Sequence, residues 1–112
     1  MNKLSSARFK ENIEPINGAS EPIYYLRPVT FNYIDDEHRI KNYGLIAEEV
    51  AKVLPDLVQF DELDEPLAVN YDELPVLLLN EIQKQRKLIM DLISHVGTLE
   101  QDVMKLKAKK KS

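Results

Sequence analysis

A serine and a lysine stand five positions apart near the start of this 112-residue chain: Ser5 and Lys10 in the run SSARFKENI, with Arg8 between them. Serine is a poor nucleophile until a base takes its proton. A lysine amine can be that base where burial or a cationic neighbour lowers its pKa from about 10.4 toward neutrality. Arg8 is close enough in sequence to disfavour a second charge at Lys10 or to hold an oxyanion. On an unbroken helix, residues five apart stand about 140° around the axis, so a Ser5–Lys10 pair requires a turn between them. The plainer alternative has Ser5 or Ser6 capping a short amphipathic helix with Lys10 at its wet edge. Phe9, three residues after Ser6, leaves that cap without a capping box.

Little else in the chain suggests chemistry. There is no cysteine, and His38 and His95 are the two histidines, so neither thiolate chemistry nor a dedicated zinc site is expected. No glycine-rich loop or paired-carboxylate motif stands out, and neither a cofactor nor a small-molecule substrate is expected. No apolar run approaches membrane-spanning length, and the first residues lack the apolar stretch of a signal peptide. The net charge is −4, unevenly placed. All 19 acidic residues lie at or before Asp102, whereas Lys105, Lys107, Lys109, Lys110 and Lys111 follow it. The acidic body repels a phosphate backbone, which argues against a nucleic-acid partner. The lysine tail reads as a solvated helix end whose charge complements the helix dipole.

The elements that must position Ser5 and Lys10 are short. Residues 5–13 read as a short helix or turn, and Asn17 to Ser20 as a loop. Pro28 interrupts the aromatic and β-branched run YYLRPVTFNYI, so a strand is expected over Val29–Ile34, with Val29, Phe31 and Tyr33 on one face. DDEHR, residues 35–39, reads as a polar hairpin turn. The next segment moves from a short strand into a helix carrying Leu45, Ile46, Val50, Val53 and Leu54 at helical spacing, stopped by Pro55. LVQF and LAVNY, separated by an acidic turn that ends at Pro66, fit two edges of a small sheet.

From Asp72 the pattern changes. Leu78, Ile82, Gln85, Ile89, Leu92, Val96, Leu99, Val103 and Leu106 fall alternately four and three apart, which makes four heptads. Ile82, Ile89, Val96 and Val103 take the a positions. Leu78, Leu92, Leu99 and Leu106 take d, with Gln85 the one polar d residue. A helix of this length cannot bury its stripe against some 70 residues, so it requires partner helices. In a parallel neighbour a g residue faces the e residue five further on. Glu81 then meets Arg86, His95 meets Glu100 and Asp102 meets Lys107, while Leu88 and Ile93 form an apolar pair that widens the stripe. β-branched a with Leu d favours two strands; the widened stripe and the Gln85 layer favour three or more. Gly97, at a b position, costs about 1 kcal/mol relative to Ala and weakens the C-terminal part. The expected architecture is an α+β head over residues 1–73, small and mixed, and a parallel coiled-coil stalk with a basic tail over residues 74–112.

Five strings, SSARFKENIEPI, YLRPVTFNYI, YGLIAEEVAKVLPDLV, VNYDELPVLLLNEI and the terminal heptads, occur here in an order that resembles the intramolecular chaperone domain of peptidase family S74. That domain ends phage tailspikes, endosialidases and tail fibres, and occurs in a family of membrane-tethered transcription factors. The resemblance implies a homotrimer that helps an upstream fibre passenger in the same polypeptide to fold and register, then cuts itself free. Ser5 matches the family's nucleophile, Lys10 its general base and Arg8 its arginine, which puts the scissile bond between Leu4 and Ser5. Glu49 matches a glutamate of the family helix, with two readings open: a group that orients the site, or a solvated helix carboxylate. Ser6 stands where the family has aspartate. It further implies assembly in a host cytoplasm, a passenger that ends in a virion tail and a chaperone domain released after cleavage. Only MNKL precedes Ser5, so the chain reads as a precursor-like fragment with that bond intact. The rival reading is a non-catalytic trimerisation and attachment module of a fibre protein, with Ser5 and Lys10 as surface residues.

Overall fold

A computed structural model describes residues 3–111. The chain forms a small mixed α+β head followed by one long C-terminal helix. Two antiparallel hairpins and a short helix make up the head. β1 (Val29–Phe31) pairs with β2 (Asn42–Gly44), Val29 opposite Gly44 and Thr30 opposite Tyr43. α1 (Ala47–Val53) follows, and a 3₁₀ turn at Pro55–Leu57 leads into β3 (Val58–Phe60). β3 pairs with β4 (Pro66–Val69), with an irregularity at Gln59/Phe60. A turn at Tyr71–Glu73 then enters α2 (Leu74–Lys111). Pro75 sits in the first turn of α2, where its missing N–H costs nothing, and Asp72 and Glu73 place negative charge at the positive helix end.

The core is small. Val50 of α1, Leu57 and Val58 are its buried hydrophobic residues, and Leu26, Leu45, Leu54, Val69, Leu74 and Leu77 pack around them. Leu74 and Leu77 come from α2, so the head is built onto the first turns of the helix. At Gly44 a Cβ would stand 2.7 Å from the Tyr71 hydroxyl and 3.1 Å from the Phe31 ring. That hydroxyl is held in place because it accepts a 2.8 Å hydrogen bond from the Leu45 N–H. Gly44→Ala is therefore expected to overpack this contact and cost about 1–3 kcal/mol, read as a lowered denaturation midpoint in urea.

Several expectations require correction. The strand expected over Val29–Ile34 ends at Phe31. Beyond it the chain enters the turn, where the Asp36 N–H donates to the Tyr33 carbonyl and the Asp36 carboxylate accepts from the His38 and Ile40 N–H groups. The loop expected over residues 17–20 is the start of a 3₁₀ helix, Asn17–Tyr25, that runs through Pro22. LVQF and LAVNY supply β3 and β4, which pair with each other as expected, in a two-stranded sheet separate from that of β1 and β2.

The largest correction concerns Glu81. Its expected partner was Arg86 of a neighbouring helix; instead it is 3% exposed, covered by the head of its own chain. The Ser20 hydroxyl donates to its carboxylate, and the Lys84 ammonium donates to it at 3.0 Å. Asn80 Nδ2 donates to Ser20 Oγ at 2.7 Å and to the Asn17 carbonyl at 2.9 Å. Lys84 also reaches the Glu21 carboxylate at 3.2 Å, and Gln85 donates to the Tyr24 hydroxyl at 2.6 Å. These bonds fasten the 3₁₀ helix to α2 across about sixty residues of sequence. The Ser20 hydroxyl, then Lys84, hold the Glu81 carboxyl below its ordinary range, and Glu81 holds the Lys84 ammonium above its own. Stability from a depressed carboxyl is present above its ordinary value and lost as pH falls through the folded one; from a raised ammonium it is lost only at high pH. Head stability is thus expected to be flat in mid-range and to fall in acid below about 4.5. Glu81→Gln should flatten that acid limb in thermal melts, while lowering the mid-range melting temperature because a buried ion pair loses one member.

Candidate functional site

The segment that carries Ser5 and Lys10 is a single 3₁₀ turn between extended residues. Ser6 (φ −65°, ψ 141°) and Lys10 (φ −124°, ψ 147°) flank the turn Ala7–Phe9. The Phe9 N–H donates to the Ser6 carbonyl at 3.0 Å and the Lys10 N–H to the Ala7 carbonyl at 3.1 Å. This reverses the chain within five residues and brings together side chains that a continuous helix would separate. Lys10 Nζ donates to Ser5 Oγ at 2.9 Å. Asn12, at φ 53°, turns the chain again; asparagine tolerates this left-handed backbone better than most residues. Ser6 stands at the N-cap but makes no side-chain capping bond, so the helix-cap reading of these serines is not realised.

The other site candidates lie apart from this contact. The Arg8 guanidinium stacks over the Phe9 ring at 4.6 Å. Glu49, on α1, forms a two-pronged ion pair with Arg27, at 3.1 Å from Nε and 2.6 Å from Nη2. The Arg27 hydrogen bond is the main cause holding the Glu49 carboxyl below its ordinary range. Glu49 therefore anchors α1 to the segment before β1 and makes no hydrogen bond to Ser5 or Lys10. Leu4 is exposed, and one residue before it Lys3 reaches Asp72 at 3.7 Å, at the entrance to α2. Sequence reasoning missed Arg27 and Asp72. Arg27 precedes Pro28 in a run read for its strand-forming residues, and its partner is 22 positions away.

Chemically, the contact is a hydroxyl and an amine in direct hydrogen-bond reach, the distance general-base catalysis needs. As an ammonium, Lys10 donates to Ser5; once it has lost a proton, the same geometry lets it accept the hydroxyl's proton. Both residues are exposed in the single chain. Among the described residues no group of histidines and carboxylates could hold a metal ion, and no helix is long and apolar enough to cross a membrane.

The stalk residues share a different property. Leu78, Ile82, Ile89, Leu92, Val96, Leu99, Val103 and Leu106 are all exposed, as are Leu88 and Ile93 beside them. The head covers α2 along Leu74, Leu77, Asn80, Glu81 and Lys84, the g, c and f positions, and bonds to the d residue Gln85 through Tyr24, leaving the apolar a and d residues exposed. The helix continues through the lysine tail to Lys111.

Residues 5–59 match the family model described as chaperone of endosialidase, Peptidase_S74. The match starts at Ser5 and ends inside β3, so it takes in the Ser5–Lys10 turn, the first hairpin and α1. The N-terminal region is thus similar to the chaperone domain of endosialidases over just under half of the chain. A search of curated proteins returns no match.

Proposed function

We propose that this chain is a C-terminal intramolecular chaperone that trimerises an upstream fibre or tailspike passenger and releases itself by cutting between Leu4 and Ser5. The observation that carries the reading is the 2.9 Å contact between Lys10 Nζ and Ser5 Oγ, at the residue where the family match begins. The neutral Lys10 amine takes the Ser5 proton as Oγ attacks the Leu4 carbonyl carbon. The C–N bond breaks, and the proton passes from Lys10 to the departing Ser5 nitrogen. Leu4 is then held as an ester on Ser5, and water cleaves it to a Leu4 carboxylic acid and a free Ser5 hydroxyl. Arg8 lies within the turn, where swinging off Phe9 would offer a cation to the oxyanion.

Assembly belongs to the same reading. The open a/d stripe is a surface that a single chain leaves in water, and burying a Leu or Ile side chain contributes about 1.5–3 kcal/mol each. Three parallel stalks would bring three passengers together at their growing ends and raise their local concentration. Packing of neighbouring heads would also desolvate the Ser5–Lys10 turn, so that cutting follows assembly.

Ser6 in place of the family's aspartate, together with the exposure of both residues, favours the second reading: an assembly module that does not cut. One experiment separates them. Residues 1–112 are fused behind a trimeric β-fibre passenger and compared with a Ser5→Ala fusion on denaturing gels. Splitting of the first and persistence of the second supports self-release. Two uncut fusions that both sediment as trimers would leave only the assembly module.

A further inference from the structure

The head carries an open apolar groove of about 650 Å³ between the β1–β2 hairpin and the first turns of α2, lined by Ile23, Leu26, Val29, Leu45, Leu74 and Leu78 among others. None of the described residues fills it. Two of its walls, Leu74 and Leu78, hold the g and d positions of the heptad, so the groove opens directly onto the stripe. On the far side of the same helix, Val76 and Leu79 occupy b and e positions, and both are more than half exposed. These two apolar residues fall outside the a/d seam, and a simple coiled coil would leave them wet. One heptad lower the b and e positions are polar, Gln83 and Arg86, before Met90 and Ile93 make them apolar again away from the head.

The parallel register connects the two features. A g residue faces the e residue five further on in its neighbour, and Leu79 is five further on than Leu74. We infer that the groove of each head receives Leu79, flanked by Val76, from the stalk of the adjacent copy, so that each head grips its neighbour as well as its own helix. The inference rests on the parallel assembly proposed above and adds to it a specific occupant for the groove. One turn lower the charges agree. Glu81, also at g, lies beside Glu21 with Lys84 shared between them, leaving one net negative charge there. The neighbour's residue five further on is Arg86. Glu81 itself is covered, so the exposed Glu21 carboxylate of that network is what gives the arginine an acidic rim.

Site-directed cross-linking tests this, since the chain has no cysteine of its own. Thr30, opposite Tyr43 on the groove wall, is changed to cysteine in one tagged chain, and Leu79 in a second. The two full-length chains are co-expressed and treated with a short bismaleimide. A Leu106→Cys chain, linking across the d layer, serves as the control for parallel assembly. The expected result is a Thr30–Leu79 heterodimer on denaturing gels together with a Leu106 homodimer. A Leu106 link without the Thr30–Leu79 link would overturn the groove assignment and leave the assembly standing. Linking of Thr30→Cys to Leu4→Cys instead would assign the groove to the N-terminal segment and overturn it equally. Absence of both the Leu106 and the Thr30–Leu79 links would remove the parallel assembly and the groove occupant together.

Discussion

An Ile89→Asp chain is expected to sediment as a monomer at concentrations where the unaltered chain sediments as an oligomer. Ile89 is an a residue in the middle of the stripe and is exposed on the single helix. In three parallel stalks it would form a closed layer of three, and Asp at that layer would bring three carboxylates together away from water. Each buried charge costs several kcal/mol unless it is neutralised. A loss of about 4 kcal/mol in association free energy already raises the dissociation constant about 10³-fold. The head should survive, because its core of Val50, Leu57 and Val58 contacts α2 through Leu74 and Leu77, about three to four turns before Ile89. Unchanged head melting with lost association would place the effect on assembly; loss of both would say that the head depends on the oligomer. Sedimentation equilibrium combined with near-ultraviolet circular dichroism of the tyrosines reads the two separately.

The second large effect falls on Lys10. Lys10→Ala in the passenger fusion is expected to slow release about 10²–10⁴-fold, the range that a positioned general base supplies. Lys10→Arg is the sharper variant. It keeps a cation near Ser5 but cannot lose its proton at accessible pH. If Lys10 acts as a base, the Arg variant should be as slow as the Ala variant; if it acts only as a fixed positive charge, much of the activity should return. Time courses of passenger release from the three fusions check both statements. Combining Ile89→Asp with an otherwise unaltered fusion connects the two predictions: if neighbouring heads cover the Ser5–Lys10 turn, the monomeric fusion should stay uncut.

What could be read from the residues alone follows the range of the interactions. The long C-terminal helix was legible because its information is local and repeated: apolar residues four and three apart, one glycine, and no proline after the first turn. The hairpins were legible from alternation and turn chemistry, although β1 ends early because Asp36 draws residues 33–40 into a tight turn. The 3₁₀ helix at 17–25 was not legible. Gly18 and Pro22 signal a break, and what orders the segment is Ser20, bonded to Glu81 and Asn80 some sixty residues away. Glu81 failed for the same reason. A glutamate at a g position is ordinarily a solvated rim residue, and only the head packed over it makes it a buried anchor. Ser5 and Lys10 show a mixed case. Their types and proximity were visible, but the turn that joins them depends on the extended backbone at Ser6 and Lys10, which short-range propensity does not dictate.

The account also explains why head and stalk are one folding unit rather than two. Leu74 and Leu77 belong to the helix by sequence and to the core by contact, and Asn80, Glu81 and Lys84 carry the polar fastening one to two turns further. The helix that carries the open apolar stripe therefore also anchors the head through its first turns.

The central claim is tested most directly by the intact mass of the C-terminal fragment released from the passenger fusion, measured beside a Lys10→Ala fusion. The account predicts a fragment whose mass corresponds to residues 5–112 from the first and none from the second. An uncut fusion, a fragment beginning anywhere other than Ser5, or equal cutting in the Lys10→Ala fusion would contradict it.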